Sequence, residues 1–211
     1  MSVSPLPRDA HASAQAAWHW PDESACAQWC AALAAALQAL APACDAFLTL
    51  EGPLGAGKTT LVRHLLRALG VQGRIKSPTY TVMEPHALPT GQAVSHFDFY
   101  RFNDPREWLD AGFREVFEQP GLKLAEWPQQ AAGVLPPEDL ALTLEIADDG
   151  SRQLSAQAGT ARGAGLLAAL KAAQPAGSAG SAGSAEAAGS AEPDGPAAGP
   201  GAAPDVLGPR A

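Results

Sequence analysis

Residues 47–59 read FLTLEGPLGAGKT, and this stretch decides the fold class. Its first five residues form a short apolar strand pattern, and Gly52 to Thr59 then satisfies the spacing G-x-x-x-x-G-K-[ST]. The apolar residues that follow have the spacing of one face of a helix: Leu61, Leu65, Leu66 and Leu69. This pattern ends at Gly70, and glycine is common at helix C-termini. Strand, loop and helix in this order predict a phosphate-binding loop. A chance glycine-rich turn is the alternative, and the complete set of features disfavours it.

Each residue type in this loop has a chemical reason. Gly55 and Gly57 permit backbone angles that turn successive N–H groups towards one phosphate. Lys58 brings a positive charge to the β and γ phosphates, and Thr59 offers a hydroxyl to Mg²⁺ at the N-terminus of the following helix. The predicted nucleotide contacts here are Leu54, Gly55, Ala56, Gly57, Lys58, Thr59 and Thr60.

Two acids compete to complete the site. Asp98 ends the strand pattern VSHFD, and Glu126 ends the pattern LKLAE. Both positions lie at carboxyl ends of apolar strands, where sites form in α/β sheets. One acid could bind Mg²⁺ while the other orients the attacking water, and the sequence does not assign the two roles. For either acid alone, a solvated strand end is the alternative.

The segment between the loop helix and the next strand reads KSPTYT from Lys76 to Thr81. In nucleotide hydrolases this interval often carries a loop that senses the γ-phosphate, so Ser77 and Thr79 are predicted to contact phosphate or metal. A plain surface turn is the alternative. Trp127 follows Glu126 directly, and either burial in the core or stacking at the site fits its position.

Composition limits the other possibilities. The chain has 211 residues, a formal net charge of −8 and a pI near 5.0, which disfavours non-specific nucleic-acid binding. Three cysteines without a paired motif favour a reduced, cytoplasmic setting and buried thiols over a metal pair. The uncharged run Ser24–Cys44 is alanine-rich and amphipathic, so it predicts a helix facing a core and no membrane span.

The chain divides into three parts. Residues 1–17 are predicted to form a flexible arm, 18–171 the folded domain, and 172–211 a disordered tail rich in Ala, Gly, Ser and Pro. A helix is expected from about Glu23 to Pro42. The further expected strands and helices are Thr79–Met83, Val94–Tyr100, Leu122–Trp127, Leu140–Ala147 and Gln153–Gln157 as strands, and Asp104–Leu109, Phe113–Phe117, Pro128–Val134 and Leu166–Leu170 as helices.

Four segments of the chain resemble, in order, the motifs of the TsaE family, formerly called YjeE. The segments are LGAGKTT from Leu54, KSPTY from Lys76, HFDFYR from His96 and EWP from Glu126. The resemblance covers about Trp20 to Leu170. It implies a three-layer α/β P-loop fold with a central mixed sheet, in which Thr59 and Glu126 hold Mg²⁺ and Lys58 and Asp98 serve ATP hydrolysis. It also implies that Ser77–Tyr80 is a switch-like loop and that Trp127 is functionally sensitive.

The resemblance further implies a biological role. Family members are ATPases of threonylcarbamoyladenosine synthesis on tRNA, and they cycle a complex of TsaD and TsaB by binding and hydrolysing ATP. An acidic chain suits this role if the tRNA is held chiefly by the partners. Two alternatives remain: a small-molecule P-loop kinase, for which no arginine-rich lid is recognisable, and a GTP-dependent binding module, for which no N-K-x-D motif is present.

Overall fold

Four parallel strands form the centre of a seven-stranded sheet in the computed structural model, which describes residues 14–40 and 42–173. The strands are β1 Gln15–Trp20, β2 Ala46–Glu51, β3 Met83–Ala87, β4 Ala93–Asp98, β5 Leu122–Glu126, β6 Leu140–Ile146 and β7 Arg152–Ala158. Their order across the sheet is β1-β7-β6-β2-β5-β4-β3. The three outer strands β1, β7 and β3 pair antiparallel with their neighbours, so the predicted mixed sheet is confirmed.

Helices cover both faces of this sheet. They are α1 Glu23–Gln38, α2 Lys58–Ala68, α3 Arg106–Asp110, α4 Phe113–Glu118 and α5 Ala161–Ala173, with a 3-10 turn at Pro128–Ala131. Because side chains alternate along a strand, Leu48 and Leu50 of β2 join a core with α1, α2 and α5. Phe47 on the opposite face joins an aromatic core with Trp108 of α3 and Phe113 of α4. The three-layer α/β architecture is therefore confirmed.

The N-terminal boundary of the sheet differs from the sequence prediction. The arm was expected to extend to Ala17, but β1 begins at Gln15 and Ala17 pairs with Ser155 of β7. Trp18 and Trp20 point into the core from this strand, and both are buried. The alanine-rich sequence before Trp18 gives little indication of a strand. The strand forms because its backbone pairs with the edge of β7. Residues 172 and 173 were predicted to belong to the tail, but they form the end of α5, which runs to Ala173. Residues 1–13 of the predicted arm and the predicted tail from residue 174 onward lie outside the described residues.

The prediction of a strand over Thr79–Met83 is also wrong. Residues 79–82 form a turn, and the strand begins only at Met83. Val82 donates its N–H to Pro78 O at 2.6 Å and has a φ of 63°, which is rare for a β-branched residue. The run Thr-Tyr-Thr-Val has strand-like composition. The bond that closes the turn at Val82 and the bond from the Thr79 hydroxyl to Asp98 outweigh that propensity.

The uncharged segment Ser24–Cys44 contains all of α1 except its first residue, and the helix buries Trp29, Leu33 and Leu37 in the core. Across the part of the chain that is described, no helix has both the length and the apolar character needed to cross a membrane.

The three cysteines are buried free thiols. Asp22 caps α1 by accepting the Ala25 N–H at 3.0 Å, as acidic residues at a helix start are expected to do.

Candidate functional site

A cavity of about 290 Å³ opens where β2, β4 and β5 end. The parallel register places Asp98 beside Glu126, and Glu126 beside Leu50 of β2, directly before the glycine-rich loop. The residues that line the cavity are Leu54, Gly55, Gly57, Lys58, Thr59, Thr60, Ser77, Thr79, Asp98, Tyr100, Glu126 and Trp127. Sheet topology therefore gathers side chains from distant segments at one edge.

The loop between β2 and α2 depends on glycine conformations. Gly52, Gly55 and Gly57 have φ values of 135°, 81° and 107°, in the region that side chains disfavour. A Cβ on Gly52 would also lie 2.3 Å from the carbonyl oxygen of Leu144 in β6, closer than any real contact. The loop therefore lies directly against the backbone of the neighbouring strand, and this fixes its position relative to the sheet.

Lys58 begins α2 and folds back over the loop. Its Nζ donates to the carbonyl oxygens of Gly52 at 2.7 Å and Pro53 at 3.0 Å, and it lies 4.0 Å from the centre of the Trp127 ring. Burial lowers the pKa of the Lys58 ammonium, an effect that the carboxylates of Glu126 and Asp98 partly oppose. The cavity therefore holds a positive charge that is less well hydrated than in water, which strengthens its attraction for an anion.

Glu126 is 2% exposed and lies at the centre of a hydrogen-bonded group. The Thr59 hydroxyl donates to its two carboxylate oxygens, at 2.9 and 3.0 Å. His96, which is fully buried, approaches Glu126 Oε1 through Nε2 at 2.9 Å. A threonine hydroxyl in contact with a carboxylate is an all-oxygen donor set of the kind that Mg²⁺ prefers.

Asp98 has a different set of partners. Its Oδ2 accepts from the hydroxyls of Ser77 at 3.0 Å and Thr79 at 2.5 Å, and its Oδ1 accepts the Tyr100 N–H at 3.0 Å. The two hydroxyls also contact each other at 2.7 Å. Asp98 therefore ties the turn after Lys76 to the end of β4.

Trp127 turns the chain sharply at the end of β5. Its φ is 58°, a left-handed conformation uncommon outside glycine, and its N–H donates to Leu50 O at 3.1 Å. The ring packs against Tyr100 with centroids 5.0 Å apart and lines the cavity with it. Trp127 thus combines the two positions left open by the sequence: it lines the cavity, and it also packs against the aromatic core.

The structure brings together the residues predicted for the site, with Ala56 as the exception. The Ala56 side chain is fully buried, so Ala56 does not join the cavity lining, although it belongs to the same loop. Sequence reasoning assigned no role to His96, Tyr100 or Arg152, each of which contacts a site residue or the loop. His96 lies two residues before Asp98 on the same strand face, a spacing that could have suggested it. Arg152 carries no local signal of this kind.

Gly52→Ala is expected to lower the free energy of unfolding by about 3 kcal/mol or more, since it combines a strained φ with a clash against backbone. Gly55→Ala is the matched control, because its Cβ would meet no atom within 4 Å and only the φ of 81° is unfavourable. We expect a loss of about 1–2 kcal/mol for the control. Urea unfolding of both variants measures the difference, and equal losses of unfolding free energy would contradict the expected clash with Leu144 O.

The glycine-rich loop, the mixed parallel sheet and the acids at its carboxyl edge define an α/β protein of the P-loop class. The sequence model of the TsaE family, described as threonylcarbamoyl adenosine biosynthesis protein TsaE, matches residues 21–154. The chain belongs to this family. TsaE proteins take part in the biosynthesis of threonylcarbamoyladenosine on tRNA, as their names state.

Individual relatives agree with this membership. The chain is 40% identical over 120 residues to the TsaE protein of Haemophilus influenzae, and this alignment covers 57% of this chain and 75% of that protein. The TsaE protein of Bacillus subtilis is 37% identical over 111 residues, or 51% of this chain and 66% of that protein. The crystal structure of Bacillus subtilis YdiB superposes with a TM-score of 0.61 and 28% identity, covering 77% of this chain and 98% of that one.

Proposed function

We propose that this protein is a Mg²⁺-dependent ATPase that supports threonylcarbamoyladenosine modification of tRNA by cycling a complex of TsaB and TsaD. The supporting observation is the convergence of one buried ammonium, one hydroxyl–carboxylate pair and a second carboxylate on a single cavity. Binding alone needs only the loop and Lys58. Hydrolysis also needs an acid near the metal and a group that orients water, and Glu126 and Asp98 are the candidates.

Thr59 and Glu126 fit the role of Mg²⁺ ligands. Their oxygens already lie within 3.0 Å of each other, and Mg²⁺ is usually bound by one or two protein oxygens together with waters and substrate phosphates. When bound, the ion would neutralise charge on the β and γ phosphates. His96 holds one oxygen of Glu126 from the side of β4, which limits the orientations open to the carboxylate.

Asp98 fits the second role. It is 3% exposed, lies beside Glu126 across the strand pair, and holds Ser77 and Thr79 at the cavity. A loop tied to a carboxylate by two hydroxyls can rearrange when phosphate oxygens compete for those hydroxyls. Asp98 would then be free to accept from water, so nucleotide state and the position of the Ser77–Thr79 turn would be coupled.

The charges that line the cavity support the proposal that partner proteins stimulate hydrolysis. Among residues 14–40 and 42–173, no arginine lines the cavity, and Lys58 supplies the positive charge alone. In related hydrolases an arginine supplied in trans speeds phosphoryl transfer by about 10³–10⁵-fold. Slow hydrolysis by the isolated protein is therefore part of the proposal. A cytoplasmic location is proposed with it, where ATP and the tRNA are found.

The test is ATP hydrolysis by the protein alone and with purified TsaB and TsaD. We expect slow turnover alone, and either faster turnover or an ATP-dependent complex when both partners are added. Unchanged turnover without association would contradict the proposal. Phosphate transfer to a metabolite hydroxyl would instead support a kinase, and preferential GTP binding would support a guanine-nucleotide module.

A further inference from the structure

Arg152 lies at the start of β7 and reaches the outer side of the glycine-rich loop. Its Nε donates to Ala56 O at 2.9 Å, and its Nη2 approaches Gly55 O at 3.4 Å. Its Nη1 donates to the carbonyls of Gly150 and Ser151 in its own hairpin. The guanidinium therefore joins the β6–β7 hairpin to the loop through carbonyl oxygens, across 96 positions of sequence.

Arg152 uses its donors on backbone carbonyls. Within the described ranges 14–40 and 42–173, the ion pairs do not include Arg152, and its hydrogen bonds all go to backbone carbonyls. A planar guanidinium can reach several carbonyls at fixed angles, whereas a lysine ammonium is a compact point charge on a flexible stem. The geometry therefore depends on arginine specifically.

The contact with Ala56 O also orients a neighbouring donor. Ala56 C=O and Gly57 N–H belong to one planar trans peptide, in which the two groups point in opposite directions. When Arg152 holds the carbonyl on the outer side, the Gly57 N–H must point away from Arg152. Gly57 lines the cavity, has a φ of 107°, and without a Cβ has few local restraints of its own.

We propose that Arg152 is a positioning residue that clamps the Ala56–Gly57 peptide so that the Gly57 N–H is presented to a polyphosphate. Its role in ligand affinity rests on the proposed nucleotide-binding function. The clamp lowers the entropy cost of ordering a glycine-rich loop at the moment of binding. Gly52 against Leu144 anchors the start of the loop on β6, and Arg152 anchors its end from β7.

The test compares Arg152→Ala and Arg152→Lys with the unmodified protein. Without nucleotide, hydrogen exchange followed by NMR should be about tenfold faster in both variants at the Ala56 amide, which donates to Pro53 O within the loop, because the tie to the hairpin is lost. Calorimetry should show that both variants bind ADP and ATP about tenfold more weakly, since lysine keeps the positive charge but lacks the planar set of donors of the guanidinium. Arg162→Ala is the control, a half-exposed arginine that pairs with Asp45 and Asp139; it should change neither measurement.

Several outcomes would overturn the inference. Exchange at the Ala56 amide that is unchanged in both variants would show that no clamp exists. Lysine behaving like arginine would show that charge alone matters, and a loss confined to turnover would place Arg152 in the reaction itself. If the unmodified protein binds neither ADP nor ATP, the proposed function fails, and the exchange rates measured without nucleotide still decide whether Arg152 orders the loop.

Discussion

Lys58→Ala is expected to weaken binding of ATP and ADP by about 100-fold or more, because it removes the ammonium that faces the phosphates in a partly desolvated cavity. The fold should survive this change. Burial lowers the pKa of Lys58, which means that the charged form is less stable in the protein than in water, so its removal relieves a desolvation cost. The lost bonds to Gly52 O and Pro53 O oppose that gain.

Two further variants isolate the charge. Lys58→Met keeps an unbranched side chain against Trp127 without the charge, and it should bind nucleotide as poorly as the alanine variant. Lys171→Ala removes an exposed lysine in the last turn of α5 and should bind normally. Calorimetry gives the affinities and thermal unfolding monitors the fold. Retained affinity in Lys58→Met would show that the phosphates do not depend on this ammonium.

Glu126→Ala is expected to lower Mg²⁺-dependent ATP turnover by about 100-fold or more, equivalent to roughly 2.7 kcal/mol in the barrier. The carboxylate is the acidic partner of the Thr59 hydroxyl, so the metal would lose its only charged protein ligand in the proposed pair. The substitution also leaves Thr59 Oγ1 and His96 Nε2 without this acceptor. That loss should cost about 1–3 kcal/mol of folding free energy.

The metal provides an independent measurement for this prediction. A titration of Mg²⁺ in the presence of ADP should show weaker metal dependence of nucleotide binding in Glu126→Ala, whatever happens to turnover. Glu145→Ala, at an exposed position of β6, is the matched carboxylate control and should behave as the unmodified protein. A large fall in the unfolding midpoint with unchanged metal dependence would assign Glu126 a structural role.

Much of the fold was predictable because its signals are local. The strand–loop–helix order around Gly52–Thr59 specifies the β2–α2 unit, and Asp149-Gly150 marks the hairpin between β6 and β7. Each of these features is set by neighbouring residues along the chain. The errors fall where pairing partners are distant: β1 needs the edge of β7, and the turn over residues 79–82 needs Asp98 to hold it.

The amino-acid sequence by itself determined the class of fold, the loop that makes a phosphate site possible and the pair of acids at strand ends. Those features follow from steric preferences and hydrophobic spacing within a few residues of each other. Only the tertiary structure placed His96 against Glu126, bonded Asp98 to Ser77 and Thr79, and brought Arg152 to the loop. Strand register and hairpin placement decide which side chains come within 3 Å of one another, and these depend on the packing of the whole sheet.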